Sequence, residues 1–401
     1  MILRASEYRL LLCLMLPLHR YHFTNRISYS SLVDTPESMA TQFKSNYELR
    51  SQLAFDILAE FGIATSHAIV DIMGDEQVEA LVKTEMHHAG LAMALNIKNR
   101  MGLEGQDLLY VSYAANWANS IMGMDQKVEM TGIGLRGVVK SCPLSRASGA
   151  LCCHILYCPQ AFHEIFAPGF IVLNPKRLSR GDDACLIICT KEGVDPDQVL
   201  SAPCISEPLP PPLDPEERAQ WNHSYMGSMW TLLLKSMLDE IGTEMTMNAL
   251  RPKFNEIGRE FANRFIEEYR IDFENLGSVA DGLSSFHSSF LKKGRFKRSS
   301  DSFSIVTEEC PFSGEPSEVC QLFQYFYDGL LEKMNPDFSM QCSGMMTKGD
   351  KTCHWLIRKK GKTDGKDDAV PEDPIKVLKL RYARGEITRE EYQRMKEELL
   401  E

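Results

Sequence analysis

Residues 142–189 read CPLSRASGALCCHILYCPQAFHEIFAPGFIVLNPKRLSRGDDACLIIC, and residues 310–357 read CPFSGEPSEVCQLFQYFYDGLLEKMNPDFSMQCSGMMTKGDKTCHWLI. The two segments align without a gap at a constant offset of 168 residues, and 11 of their 48 positions are identical. A repeat that keeps its register over this length is typical of two copies of one fold. The sequence therefore predicts a duplicated architecture.

The identical positions combine cysteines with residues that shape turns and cores. They are Cys142/Cys310, Pro143/Pro311, Ser145/Ser313, Cys152/Cys320, Tyr157/Tyr325, Glu164/Glu332, Pro168/Pro336, Phe170/Phe338, Gly181/Gly349, Asp182/Asp350 and Cys185/Cys353. Each copy thus carries three repeated cysteines and one Gly-Asp pair. His154 and His354 are not repeated, which removes them as shared ligands of a site present in both copies.

Composition indicates a globular chain of more than one domain. The 401 residues are 44% apolar and 25% charged, which is ordinary for a folded protein. The net charge of −11 argues against a general nucleic-acid-binding surface. The local basic run at 292–298 is interpreted as a solvated loop. Twelve cysteines without a convincing export signal favour reduced thiols or metal ligands over a disulfide framework.

Periodicity along the chain predicts an α+β fold, made of two duplicated helix-then-strand modules and a C-terminal two-helix hairpin. In each copy, helices precede a strand, a further helix and a two-strand hairpin. Expected first-module elements include a helix from 46 to about 61 ended by Gly62, a strand with a bulge or turn over 127–139, and a helix over 145–166 kinked or divided by Pro159.

Changes in composition divide the chain into six segments. These are 1–45, a disordered or spurious extension; 46–201, the first module; 202–215, a proline-rich linker; 216–357, the second module; 358–372, a flexible linker; and 373–401, the two-helix tail. The apolar run at 10–18 is too short to span a bilayer, so no transmembrane segment is expected.

The tail resembles a SHOCT domain, a short C-terminal two-helix module. The matching residues are Asp373-Pro374, Leu378, Leu380, Gly385-Glu386-Ile387-Thr388, Glu390-Glu391-Tyr392, Lys396 and Leu399-Leu400. Asp373 and Thr388 are placed to cap the two helices. The resemblance implies self-association through 373–401 and favours a cytoplasmic protein.

Each module resembles the L-2-amino-thiazoline-4-carboxylate hydrolase family. The resemblance rests on a cysteine after a strand, a cysteine-containing helix, a Pro-hydrophobic segment, and a small-residue turn before a final cysteine. In the first module these are Cys142, Cys152 or Cys153, Pro168–Phe170 and Gly181-Asp182…Cys185; in the second they are Cys310, Cys320, Pro336–Phe338 and Gly349-Asp350…Cys353. It implies opening of a cyclic C–N bond in a small metabolite. The same cysteine pattern is similar to four-vinyl-reductase-type small-molecule-binding domains, which act as sensors.

Three chemistries stay open for the repeated cysteines. The first is a metal site for zinc or iron, with Cys142, Cys152 and Cys185 as ligands in one module and Cys310, Cys320 and Cys353 in the other. The second is thiol catalysis by Cys185 with Asp182, and by Cys353 with Asp350. The third is burial as small hydrophobic side chains, with the aspartates as turn-formers.

The functional expectation is a hydrolase-like protein that acts on or binds a small sulfur- or nitrogen-containing metabolite through a three-cysteine site. The alternative is a non-catalytic small-molecule or metal sensor that oligomerises through its tail. A small-molecule ligand is the expected partner, and no nucleic acid is expected.

Overall fold

The computed structural model describes residues 37–104, 107–121, 124, 126–148, 157–205, 215–290, 293–299, 302–360 and, in the tail, positions 393, 394 and 396. The chain forms two compact units, Met1–Arg358 and Lys359–Glu401. The expectations for residues 1–36, for most of the proline-rich linker and for the helical hairpin of the tail lie outside the described residues.

The first half of the larger unit contains helices followed by strands, helix and strands. Its elements are α1 (Glu37–Met73), α2 (Asp75–Met101), α3 (Leu108–Ile121), β1 (Gln126–Thr131), β2 (Gly134–Val139), α4 (Tyr157–Phe166), β3 (Phe170–Lys176), a 3-10 turn (Leu178–Arg180), β4 (Cys185–Lys191), α5 (Pro196–Ser201) and β5 (Cys204–Ile205). The sheet has the order β3-β4-β2-β1-β5, and its strand pairings are antiparallel.

The second half repeats this order. Its elements are α6 (Pro215–Ile241), α7 (Thr243–Tyr269), α8 (Leu276–Phe290), β6 (Lys293–Arg298), β7 (Ser302–Glu309), α9 (Glu318–Met334), β8 (Phe338–Gly344), a 3-10 turn (Met346–Lys348) and β9 (Cys353–Lys359). Its sheet has the order β6-β7-β9-β8. The α+β class is confirmed.

Corresponding elements share their bounds at the 168-residue offset. Helices α2 and α7, strands β3 and β8, and strands β4 and β9 begin and end at equivalent positions. The backbone agrees as well: Gly74 and Gly242 have φ angles of 82° and 80°, and Gly181 and Gly349 have 90° and 92°. These left-handed conformations favour glycine. The matched bounds support the duplication.

Several boundaries differ from the sequence expectation. Helix α1 continues through Gly62 to Met73, and an added Cβ at Gly62 would lie at ordinary van der Waals distance, 3.5 Å, from Met229 Cε. Residues 127–139 form two paired strands rather than one. Pro159 lies within the described helix α4, and residues 149–156, over which the predicted helix extends, lie outside the described residues.

The basic run at 292–298 is also different from the expected loop. Residues 293–298 form β6, which pairs with β7 and lies at the edge of its sheet. Arg295 and Lys297 are exposed there, and Arg295 contacts Glu308 on the neighbouring strand. Charged side chains on an edge strand discourage pairing with other chains.

The first helix of each module reaches into the core of the other module. Phe61 of α1 lies in the aromatic core of the second module, with ring centroids 4.4 Å from Phe254, 5.0 Å from Trp230 and 5.4 Å from Phe323. In return, Trp221 of α6 packs edge-on against Trp117 of the first module at 4.9 Å. Each module therefore buries part of its hydrophobic surface against the other.

Helix α1 is long and apolar enough over Gln52–Met73 to cross a membrane by length and composition. However, 72% of its most apolar window is buried inside the unit. Core helices of globular proteins satisfy the same criteria.

Replacing Phe61 with alanine should lower the free energy of unfolding by about 3–5 kcal/mol, because the side chain is fully buried among four aromatic rings. Urea denaturation monitored by circular dichroism measures the change. The control is Phe273→Ala, at a phenylalanine that is 44% exposed and should change stability little. Equal effects of the two substitutions would contradict the packing of Phe61 into the core of the second module.

Candidate functional site

The three repeated cysteines of the second module come together at the start of β9. The thiols of Cys310 and Cys320 both hydrogen-bond to the sulfur of Cys353. The backbone N–H of Met346 also donates to Cys353 Sγ, at 3.2 Å. The predicted convergence in space of Cys310, Cys320 and Cys353 is therefore observed.

Hydrogen bonds among these three thiols shift their pKa values in opposite directions. The two donating thiols lower the pKa of Cys353 well below its ordinary value, although burial opposes them. The same bonds, with burial, raise the pKa of Cys310 and Cys320. Burial raises the pKa of nearby Cys342 to about 12. Cys353 is thus the group that loses its proton first.

The first module repeats part of this arrangement. Cys185 Sγ accepts a hydrogen bond from the Leu178 N–H at 3.2 Å, which matches the bond between Met346 and Cys353. Cys142 and Cys185 line one cavity. Cys152, the third predicted member, lies outside the described residues. The cysteines whose side chains are described are free thiols: Cys142, Cys185, Cys189, Cys204, Cys310, Cys320, Cys342 and Cys353.

Both candidate aspartates hold the turn that precedes the last repeated cysteine. Asp182 Oδ2 accepts a hydrogen bond from the Arg177 N–H at 2.6 Å, and Asp350 Oδ2 accepts one from the Met345 N–H at 2.8 Å. Both carboxylates are exposed. This is the turn-forming role that aspartate has at such positions.

The metal hypothesis gains no support from this geometry. In the described parts of the chain, no group of three or more His, Cys, Asp or Glu side chains has an arrangement that could hold a metal ion. In the second module, the cysteine sulfurs are instead occupied by hydrogen bonds, including a contact of 3.2 Å between Cys320 Sγ and Thr347 Oγ1.

A large apolar cavity lies in the first module, between its sheet and its helices. It encloses about 1110 Å³ of empty space including its mouth. Its described walls come from α2, α3, β1, β2, α4, β3, β4 and the 3-10 turn, and Tyr225 of α6 also contributes. Ligand sites in proteins are typically apolar cavities with a few polar groups.

Side-chain size accounts for the cavity. At six lining positions, the residue 168 positions later is larger: Leu135/Phe303, Ala115/Leu283, Ala118/Phe286, Gly137/Ile305, Leu144/Phe312 and Ile187/Trp355. All six larger residues are buried. Exceptions to the trend are Phe162/Leu330, Arg136/Ser304 and Asn174/Cys342. Protein interiors are close-packed, so these larger side chains fill the equivalent space in the second module.

The sheet register confirms that these positions are equivalent. Gly137 pairs with Ile187 in the first sheet, and Ile305 pairs with Trp355 in the second. Trp355 then packs against the rings of His287 and Tyr327, with centroid distances of 5.4 Å and 5.3 Å. Where the first module has a glycine facing empty space, the second has an aromatic core.

A thiol and an imidazole meet in the wall of the cavity. Cys189 Sγ lies 3.1 Å from His163 Nδ1. Burial lowers the pKa of His163 to about 4 and raises that of the Cys189 thiol. Both shifts favour the uncharged forms, so the pair is a neutral thiol and a neutral imidazole near physiological pH.

Two further polar groups in the cavity wall have no partner among the described residues. These are Asn119 Nδ2 and Ser179 Oγ, both buried. Buried polar atoms are almost always hydrogen-bonded, so each such exception requires an explanation. Two of them on one cavity indicate that something else satisfies them.

Identity between the two copies does not reveal His163, Cys189 and Asn119 as candidate residues. Their counterparts are Leu331, Ile357 and His287. Differences between the copies could have found them, namely positions at which one copy has a small or polar residue and the other has a large one.

Comparison with known proteins identifies the tail only. Residues 373–400 match the SHOCT family, described as a short C-terminal domain. The predicted resemblance of the tail is thereby confirmed. No curated protein and no solved structure matches the chain. The resemblance of the modules to the thiazoline hydrolase family is without support from these comparisons and stays a prediction.

Replacing both Cys310 and Cys320 with alanine should raise the pKa of Cys353, because its two thiol donors are removed. Titration of the ultraviolet thiolate absorbance measures this change. The thiolate transition of Cys353 should lie at lower pH in the wild type than in the double variant. The control is Cys204→Ser, at an exposed thiol, which should leave that transition in place. An unchanged transition in the double variant would contradict the arrangement.

Proposed function

We propose that this protein is a small-molecule-binding protein whose ligand occupies the cavity of the first module. The observation that carries the proposal is the difference between the copies: one space is open and the equivalent one is filled. The second module then serves as the packed support that receives α1 and supplies Tyr225 to the cavity wall. Of the sequence alternatives, a non-catalytic sensor is favoured.

The cost of an open cavity supports a binding role. Empty apolar space is destabilising, because its lining loses van der Waals contacts. The chain contains side chains able to fill this space and uses them at the equivalent positions of the second module. A ligand that fills the cavity would restore those contacts on binding.

Hydrolysis of a sulfur- or nitrogen-containing ring is the second candidate. The contact between Cys189 and His163 favours it, because thiol catalysis needs a nucleophile beside a base. Burial weighs against it, since it keeps the thiol protonated. Asp182, the expected acid or base, is exposed and bound to the turn. Binding therefore requires fewer changes to the observed site than catalysis.

Replacing two cavity residues of the first module with their second-module counterparts should weaken ligand binding. The double variant Ala115→Leu, Ala118→Phe carries the counterparts Leu283 and Phe286 and should weaken Nile red binding at least tenfold, because the added side chains occupy the cavity. Fluorescence titration measures the dissociation constant of this neutral dye. The same variant should unfold at a higher temperature, as cavity-filling substitutions commonly do.

The control for this variant is Val138→Phe, which adds bulk on the solvent side of β2, where Val138 is 45% exposed. It should bind Nile red like the wild type. Equal affinity of the filled variant and the wild type would contradict the proposal.

We further propose that the tail associates copies of the chain in the cytoplasm. The support is the SHOCT match and the free thiols, which persist in reducing compartments. Two helices as short as those predicted are marginal alone and need a partner.

Deleting residues 373–401 should reduce the assembly to a single chain, as measured by light scattering. Leu378→Asp, which places a charge on the predicted apolar face of the tail, should have the same effect. An unchanged molar mass in both cases would contradict the proposed role of the tail.

A further inference from the structure

Asn119 is a buried polar side chain of the first module whose amide nitrogen has no hydrogen-bond partner among the described residues. It is 6% exposed, lines the cavity, and its Nδ2 has no acceptor within the described part of the chain. One turn earlier on α3, Asn116 shows what a structural asparagine does. Its Nδ2 donates to the Val128 carbonyl at 3.1 Å, and its Oδ1 accepts from the Val128 N–H at 2.9 Å.

The second module satisfies the same position internally. The counterpart of Asn119 is His287, whose Nε2 lies 2.9 Å from the Tyr327 hydroxyl. At the position 168 residues before Tyr327, the sequence has Pro159, a residue type without a polar side-chain atom. The first module thus has a polar residue at this helix position, Asn119, but no polar side chain at the position that would pair with it.

The charges around the cavity restrict what can pair with Asn119. Arg136 is the cation among the described lining residues, and its guanidinium is already used: Nε bonds to Glu129 at 3.2 Å, and Nη1 donates to the carbonyls of Leu200 and Ala202. Burial lowers the pKa of His163 to about 4, so it supplies no charge near neutral pH. A buried ionic ligand would therefore lack a counter-charge, at a large cost.

We propose that the first-module cavity selects uncharged, largely apolar molecules that accept a hydrogen bond from Asn119 Nδ2, such as ketones, esters or neutral ring nitrogens. This inference rests on the proposed binding function and specifies its ligand class. Asn119 acts as the residue that determines specificity, while the apolar lining supplies affinity. The carboxylate substrate implied by the resemblance to the thiazoline hydrolases falls outside this class.

Three naphthalenes that differ in one substituent test the proposal on the full chain. They are 2-acetylnaphthalene, a neutral acceptor; 2-ethylnaphthalene, which has no acceptor; and 2-naphthoate, an anion. Each competes with Nile red in a fluorescence assay. The ketone should bind about five- to tenfold more tightly than the hydrocarbon, the gain expected from one buried hydrogen bond. The anion should be the weakest.

Asn119→Leu should remove the preference for the ketone over the hydrocarbon while keeping Nile red binding. The control is Ser201→Ala, at an exposed serine on α5 away from the cavity, which should keep the wild-type order.

The outcomes separate the inference from the function on which it rests. If Nile red binds but the naphthoate binds as tightly as the ketone, the ligand class is wrong and the binding function stands. The ligand class is equally wrong if Asn119→Leu keeps the ketone preference. If neither Nile red nor any naphthalene binds the wild type, the binding function itself is overturned. Because the comparison of the three ligands is also made on the wild type, a variant that does not fold still leaves the ligand class tested.

Discussion

The packing of Phe61 into the aromatic core of the second module holds the larger unit together. Its ring meets Trp230, Phe254, Phe323 and Phe326, which belong to α6, α7 and α9. Because the first helix of each module packs against the other module, the two halves become one folding unit. This packing also brings Tyr225 of α6 into the wall of the first-module cavity. The cavity wall therefore depends on both modules.

The two modules share their backbone elements and differ in the volume of their interior side chains. The backbone elements match in length and register, but Gly137 and Ile187 stand where Ile305 and Trp355 pack together. After a duplication, one copy can hold the stability of the unit while the other tolerates a cavity. Binding sites commonly take stability from their surroundings in this way. The polar pair formed by His163 and Cys189, together with Asn119, occurs only in the first module, which contains the cavity.

The sequence predicts the architecture better than the site. The repeat register anticipates the α+β class, the turn at Gly181-Asp182 and the convergence of Cys310, Cys320 and Cys353, because these depend on local backbone geometry and on residues kept in both copies. The prediction is wrong at Gly62, whose place at a helix contact is set by tertiary packing that local propensity cannot reveal. It is also wrong for the basic run at 292–298, because residues 293–298 form an edge strand. Identity between the copies does not reveal the cavity, since the cavity arises from the positions at which the copies differ.

Xenon binding tests most directly the claim that the first module is hollow and the second filled. Xenon enters dry apolar cavities without needing hydrogen bonds or charge. In crystals of the full chain under xenon pressure, we expect a bound atom between Ala118, Gly137 and Ile187. We expect none at the equivalent place beside Phe286, Ile305 and Trp355. Xenon in both modules, or in neither, would show that the two copies do not differ in this way.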